Sequence, residues 1–193
     1  MNNWLERESR RLNKARRLLE PGLAGCGGAW ADLGCGDGIF TYWLQVLLKP
    51  GSTIYAVDKD RQALRQMQRR LAESAPEAAV QPVLADFSRP LSLPPLDGLL
   101  LANSLHFIKA KETVLKALAA LLKPGGRLLV IEYNTGRGNY AVPYPLAEAD
   151  FLALAGRVGL VEVKIVARAP SSFLREMYTG LALAGAATLR QQL

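Results

Sequence analysis

The sequence predicts a doubly wound α/β domain built on a mostly parallel sheet. Three observations predict it. Short β-rich apolar runs alternate with stretches whose apolar residues recur at helical spacing, the pattern of successive βαβ units. One such run, Ala29-Trp30-Ala31-Asp32, passes directly into the alternate glycines Gly34, Gly36 and Gly38, as a tight strand-to-helix turn requires. The tripeptide Lys-Pro-Gly recurs at 49–51 and 123–125, and in both places proline and glycine stop a helix and turn the chain into a strand.

The elements follow in order. Asn3 to Leu19 reads as a helix with Leu5, Leu12, Ala15 and Leu19 on one apolar side. Gly22 to Gly28 links it to the strand ending at Asp32. A helix opens near Ile39, continues from Thr41 to Leu48 and ends at Lys49-Pro50-Gly51. Thr53 to Asp58 is a β-rich run, and a helix from Lys59 to Ala72 comes after it. Leu96 to Ala102 is a further strand that runs into Asn103-Ser104-Leu105-His106-Phe107. A helix from Glu112 to Leu122 turns Leu115, Leu118, Ala119 and Leu122 toward the sheet. Then come a strand from Gly126 to Tyr133, a helix from Leu146 to Val158, a strand from Val161 to Ala167 and an apolar stretch from Met177 to Ala184.

A length of 193 residues favours one domain. It divides into an N-terminal helix and link (1–28), a ligand-binding core (29–133) and a C-terminal part (134–193). Half of the residues are hydrophobic, enough for a core between helices and strands. Cys26, Cys35 and His106 are the only cysteines and histidine, so no metal site is expected. The same count points to a reducing, cytoplasmic setting. The N-terminus has no apolar signal core, and Leu181 to Leu189 falls short of the ~20 residues of a membrane span. The net charge of +7 gathers at Arg7, Arg10, Arg11, Lys14, Arg16 and Arg17, and again at Arg61, Arg65, Arg69 and Arg70. Such clusters attract nucleic acid or form solvated helix faces. No aromatic residues interleave the second cluster, so the solvated-face reading is preferred.

The glycine turn points to a nucleotide-type ligand. A dinucleotide fold asks for G-x-G-x-x-G/A, and Gly34 and Gly36 fit, but Ile39 stands at the third position. Asp32 and Asp37 would repel a pyrophosphate. They suit a ligand carrying positive charge, such as an ammonium or a sulfonium. Asp58 lies 20 residues beyond Gly38, close to the spacing at which an acid meets a ribose diol; it equally suits a cap for the helix after it.

Asp32-Leu33-Gly34-Cys35-Gly36-Asp37-Gly38 resembles the first motif of the class I S-adenosylmethionine-dependent methyltransferases, and Asp58 matches the acid that ends their second strand. Val83-Leu84-Ala85-Asp86-Phe87 is similar to their third motif, and Leu122 to Ile131 to the turn and strand after the fourth. The resemblance implies a seven-stranded sheet whose last strand, Met177 to Ala184, is antiparallel. It implies S-adenosylmethionine as cofactor, with Asp32, Gly34, Gly36 and Gly38 at the methionine part, Asp58 at the ribose, Asp86 and Phe87 at the adenine, and Cys35, Lys59 and Asn103 among the residues that bind it. Where enzymes that modify amino nitrogens have Asn-Pro-Pro-aromatic, this chain has Asn103-Ser104-Leu105-His106, which is nearer to small-molecule methyltransferases of quinone biosynthesis.

Ligands of open α/β sheets bind outside the carboxyl ends of the strands, so Asn103 to His106 should border the reacting centre. The sole histidine, His106, is the candidate general base, and it equally suits a packing or capping role; Glu132 and Tyr133 are weaker candidates. Tyr133, Asn134, Arg137, Tyr140 and Tyr144 would line the acceptor pocket, or belong to a plain surface loop. A small-molecule acceptor is expected. Methylation of RNA or protein, a non-catalytic S-adenosylmethionine-binding module and a nicotinamide oxidoreductase are the rivals, the last opposed by Ile39 and Asp32. No residue names the acceptor or the oligomeric state.

Overall fold

The computed structural model describes residues 3–72 and 78–186, with the backbone alone for 3–7. The chain forms α1 (Asn3–Leu19), β1 (Ala29–Leu33), α2 (Ile39–Leu47), β2 (Thr53–Asp58), α3 (Arg61–Ala72), β3 (Ala79–Leu84) and β4 (Leu96–Ala102). It continues with α4 (Lys111–Ala119), β5 (Leu122–Tyr133), α5 (Glu148–Arg157), β6 (Leu160–Ser171) and β7 (Arg175–Ala184). The strands make one seven-stranded sheet in the order β3-β2-β1-β4-β5-β7-β6. β1 to β5 pair in parallel, and β7 runs antiparallel between β5 and β6.

Alternation along the central strands sends successive side chains to opposite faces. Trp30, Leu100, Leu129 and Ile131 pack with Leu18 and Leu19 of α1 and Leu44 of α2. Ala31, Leu33, Leu99, Leu101, Leu128 and Val130 pack with Leu115 and Leu118 of α4 and Phe151 and Leu154 of α5. Met67 and Leu71 of α3 join the first layer over Ala56. The order of strands reverses between β1 and β4, and the crevice at that switch point is where open α/β sheets bind ligands.

Several boundaries differ from those expected. α4 stops at Ala119 rather than Leu122, and β5 starts at Leu122 and runs through Lys123-Pro124-Gly125 instead of after it. Pairing decides this: Leu122 faces Leu96, and the Leu96 N–H donates to the Leu121 carbonyl at 2.8 Å. α3 begins at Arg61 because the Asp60 carboxylate accepts the Gln62 N–H at 2.7 Å, so Lys59 lies outside the helix. α5 is shorter than expected at both ends, Glu148–Arg157. β6 extends past Ala167 to Ser171, since its pairing with β7 continues to the Ser171–Arg175 pair and makes a long hairpin.

Both cysteines are free and buried. The side chain of Leu5 and the end of the Leu181–Leu189 stretch, 187–189, lie outside the described residues, and 181–184 belong to β7. Among the described residues, no helix is long and apolar enough to cross a membrane.

Candidate functional site

The turn after β1 is built from three glycines in the left-handed region, at φ 78° for Gly34, 54° for Gly36 and 81° for Gly38. Their surroundings differ. A side chain at Gly34 would come within 2.7 Å of the Ser104 Cβ, and one at Gly38 would collide with Met67 of α3. Nothing lies within 4 Å of the Cβ position of Gly36. Packing therefore explains two of the glycines, and the third faces open space at the sheet's switch point. The turn is pinned to β2: Gly34 and Cys35 donate their N–H groups to the Val57 carbonyl, and the Gly36 N–H donates to Asp58 Oδ2 at 2.9 Å. No side chain caps the start of α2 at Gly38, so the helix presents its positive end there.

The motif carboxylates have separate environments. Asp32 is 1% exposed beneath the turn and accepts the Thr41 hydroxyl at 2.6 Å. Burial pushes its pKa up to about 7; the Thr41 bond opposes this and the nearby Asp58 charge adds to it. Asp58 accepts Gly36 N–H on one oxygen and Asp60 N–H on the other, and Asp60 is the residue that caps α3. Asp37 faces away into an ion network, bonded to Arg11 of α1 at 3.0 Å and to Arg70 of α3 at 3.1 Å, with Glu8 joining both arginines. Part of each basic cluster is thus spent on joining α1, the glycine turn and α3.

The other residues expected at the cofactor fall around this turn with one qualification of role. The Cys35 thiol packs among Leu64, Met67 and Leu71, and burial pushes its pKa up, so only its backbone faces the turn. The Phe87 ring reaches within 3.3 Å of the Gly34 Cβ position. Asp86 holds its own turn by accepting the Ser88 N–H and hydroxyl, and the Ser88 hydroxyl bond is the main reason its carboxyl titrates below the usual range, with Lys59 nearby contributing. Lys59 is exposed. Asn103, at the end of β4, adopts φ 53°, donates its N–H to the Ile131 carbonyl and buries an Oδ1 that has no hydrogen-bond partner. Ser104 ties β4 to β1 by donating to the Leu33 carbonyl at 2.7 Å.

Next along the sheet edge, His106 is 3% exposed and Glu132 fully buried. His106 Nδ1 lies 2.6 Å from Glu132 Oε2, and the His106 N–H donates to Oε1 at 3.0 Å. Aromatic rings surround the pair. Phe107 and Tyr133 have ring centroids 4.3 and 6.2 Å from that of His106, and Phe173 from the β6–β7 turn lies edge-on to Tyr133 at 5.6 Å. The Tyr133 phenol is pushed above its usual pKa by burial first and the Glu132 charge second. The Tyr144 N–H donates to the His106 carbonyl at 3.0 Å.

The remaining acceptor candidates are spread out. Asn134 ties elements together, donating to Glu176 and accepting the Glu148 N–H that opens α5. Arg137 is exposed, and Tyr140 is 95% exposed. Sequence reasoning missed Thr41 and Phe173. For Phe173 a signal exists, a large aromatic set among turn residues in Ser171-Ser172-Phe173-Leu174.

Comparison with known proteins identifies relatives. A family described as "Methyltransferase domain" matches residues 31–128. The chain is 30% identical over 129 residues to the Ubiquinone/menaquinone biosynthesis C-methyltransferase UbiE of Ectopseudomonas mendocina, a match covering 66% of this chain and 50% of that protein. It is 30% identical over 135 residues to the UbiE of Pseudomonas fluorescens, covering 69% and 52%. The chain spans about half the length of these curated relatives. In fold it is similar to the CurJ carbon methyltransferase, with a TM-score of 0.69 at 19% identity over 91% of this chain and 52% of that one. It is also similar to the N-methyltransferase NodS of Bradyrhizobium japonicum in complex with S-adenosyl-L-homocysteine, with a TM-score of 0.69 at 16% identity over 92% and 87%.

Proposed function

Because the chain belongs to the methyltransferase-domain family, we propose that it binds S-adenosylmethionine over the glycine turn and transfers its methyl group to a small-molecule acceptor at the C-terminal edge of the sheet. The carrying observation is the open space at Gly36, flanked by the buried, unpartnered Asn103 Oδ1 and the buried carboxylate of Asp32. Packing asks for glycine at Gly34 and Gly38; at Gly36 the positive φ asks for it, and the space left above the turn is room for a ligand to approach the backbone. The residues present fit the cofactor. Gly36 lets the methionine part approach backbone, Asp32 supplies negative charge beneath it, and Asn103 Oδ1 accepts a hydrogen bond from an ammonium. Asp58 keeps lone pairs for a ribose diol, and Phe87 offers a ring face to the adenine beside Asp86. When bound, the sulfonium supplies an already activated methyl group.

The chain's own contribution is alignment and proton removal. Holding two reactants in line is worth up to ~7–11 kcal/mol in well-oriented systems. With Nδ1–H donated to the Glu132 carboxylate, the His106 ring carries its lone pair on Nε2, the arrangement of a general base oriented by a buried acid. His106 is read as the base and Glu132 as its positioning residue. Tyr133, with Phe107 and Phe173, forms the wall of the acceptor mouth, and Arg137 and Tyr144 flank it. The names of the relatives favour a carbon acid as acceptor, and the single continuous sheet supports reading the chain as one domain. The two free cysteines agree with a reducing cytoplasmic setting.

Calorimetry with S-adenosylmethionine, S-adenosylhomocysteine and NADH tests the reading. Micromolar binding of the two sulfur ligands and none of NADH is expected. Binding of NADH alone would replace the proposal with an oxidoreductase.

A further inference from the structure

Asp37, between the second and third glycines of the turn, spends one carboxylate oxygen on two guanidinium groups. Arg70 of α3 donates from Nε to the Asp37 carbonyl at 2.8 Å and from Nη2 to Asp37 Oδ2 at 3.1 Å. Its Nη1 bonds Glu8 of α1. Arg11 of α1 donates to the same Asp37 oxygen at 3.0 Å and to the second Glu8 oxygen at 3.2 Å. Four side chains thus close a ring that joins three elements. Arg70, Glu8 and Asp37 are partly buried, and Arg11 is exposed. An isolated exposed ion pair contributes little, but a forked guanidinium inside a network holds geometry.

The ring grips the half of the turn that β2 does not. Gly34, Cys35 and Gly36 are bonded to β2, whereas Arg70 holds Asp37, and Met67, three residues earlier on the same helix face, lies against Gly38. At the other end of the ring, α1 is anchored unevenly. Ala15, Leu18 and Leu19 are buried, and the Leu18 carbonyl accepts the Thr179 hydroxyl at 2.8 Å. No residue from 8 to 14 is buried. Toward its N-terminal end the helix is held by the Trp43 indole, which donates to the Leu12 carbonyl at 2.8 Å, and then by the ring.

We propose that Arg70 is a positioning residue for the cofactor, and that the ring couples the docking of the N-terminal half of α1 to the filling of the site over Gly36. Arg70 acts through Asp37. Its Nε fixes the direction of the Asp37 carbonyl and, because the peptide is planar, of the Gly38 N–H, which donates to the Cys35 carbonyl at 3.0 Å. Gly38 is also the residue from which α2 starts. Without Arg70, the glycines on either side leave that peptide many conformations, and a ligand that needs one of them bears the cost of ordering it. With Arg70, the turn is ordered before the ligand arrives. The coupling runs both ways: a ligand that orders the turn strengthens the ring, and the ring orders residues 8–11 of α1. Lysine is no substitute at this position, since one ammonium does not reproduce the flat fork that reaches a carbonyl and two carboxylates. The cofactor's part in this coupling rests on the methyltransferase reading; the link between α1, the turn and α3 does not.

The test is amide hydrogen exchange of the full chain, with and without saturating S-adenosylhomocysteine, on wild type, Arg70→Met, Arg70→Lys and Glu8→Ala. Without ligand, Arg70→Met should speed exchange at Gly38, Tyr42 and residues 8–12 at least about tenfold. The Gly34 and Cys35 amides, bonded to Val57, should keep their rates. A general loss of stability would instead speed all of them together. Glu8→Ala leaves the grip on Asp37 in place and should speed residues 8–12 alone. The ligand should slow exchange in 8–12 of wild type but not of Arg70→Met. Calorimetry should find its affinity about tenfold lower in Arg70→Met, with Arg70→Lys recovering only part of the loss. Arg65→Met, on the exposed face of α3, should change none of these. Uniform acceleration across the turn, unchanged rates or wild-type affinity in Arg70→Met, or equal slowing of 8–12 by the ligand in both proteins would each overturn the proposal. No binding by wild type would overturn the coupling together with the methyltransferase reading, and the ligand-free exchange pattern, intact in that case, tells this failure from the others.

Discussion

His106 and Glu132 are bonded twice: the imidazole Nδ1 lies 2.6 Å from one carboxylate oxygen, and the His106 backbone N–H reaches the other at 3.0 Å. One acid therefore fixes both the position of the loop after β4 and the orientation of the ring it carries. Because His106 is the only histidine in the chain, a 15N spectrum of labelled protein reports on it alone. The expected spectrum is that of the tautomer protonated on Nδ1. Glu132→Gln should shift the ring toward the other tautomer, leave S-adenosylmethionine affinity unchanged and lower methyl transfer by about 10²-fold or more. An unchanged spectrum and rate would leave the pair a core hydrogen bond.

Asp32 yields a pH dependence with a definite sign. Its pKa is raised to about 7 by burial, so between the unfolded value and about 7 the folded chain binds the extra proton. Its contribution to stability is therefore greatest below the unfolded pKa and is lost as pH rises through about 7, by an amount on the order of a few kcal/mol. Asp32→Asn keeps the acceptor for the Thr41 hydroxyl and removes the charge. Denaturation at pH 8 should find the variant as stable as wild type or more so, while calorimetry should find weaker binding of S-adenosylmethionine. In wild type that affinity should fall as pH drops below about 7, since a cationic ligand favours the ionised acid. Lower stability at pH 8 with intact affinity would make Asp32 a structural residue.

The three glycines should separate in mutagenesis. Gly36→Asn places a side chain where nothing lies within 4 Å, and asparagine tolerates positive φ better than most residues. Its expected cost is about 1 kcal/mol of stability with at least a tenfold loss of S-adenosylmethionine affinity. Gly36→Val adds β-branch strain to the same obstruction. Gly38→Ala meets Met67 and should destabilise the fold more than Gly36→Asn does, which thermal denaturation would read. Equal losses of stability at both positions would contradict the division drawn between packing and access.

Asp58 and Asp60 divide two roles that look interchangeable in the sequence. Asp60→Ala removes the cap of α3 and should cost about 1 kcal/mol of stability without altering ligand affinity. Asp58→Ala should weaken S-adenosylmethionine binding by about 1.5–3 kcal/mol and leave the cap in place. Calorimetry on both variants distinguishes them, and a reversal of the two outcomes would dismiss the ribose role.

The central strands were legible because they are buried and bounded by strong punctuation, whereas β3, mostly exposed, was not delimited. Thr53–Asp58 and Leu96–Ala102 have the bounds their apolar runs suggest. Boundaries set by pairing were not. Nothing local in Leu122-Lys123-Pro124-Gly125 says that Leu122 will pair with Leu96, and nothing local in 168–171 says that β6 continues beside β7. The glycine turn was legible as a tight strand-to-helix turn, since left-handed backbone shows in residue type. The division of labour among its glycines was not, because it depends on Ser104 and Met67 arriving from other elements. His106 stood out by being alone. Its partner was recognisable only once β5 placed Glu132 next to the loop after β4, and Phe173 reaches that loop through a hairpin whose length is a property of the β6–β7 register.

The most direct test of the central claim is a crystal structure of the chain grown with S-adenosylhomocysteine. The account predicts density for the ligand over Gly36, its amino group toward Asn103 and the turn above Asp32, its ribose at Asp58 and its base against Phe87. Density elsewhere on the molecule, or a saturated crystal with none over Gly36, would contradict it.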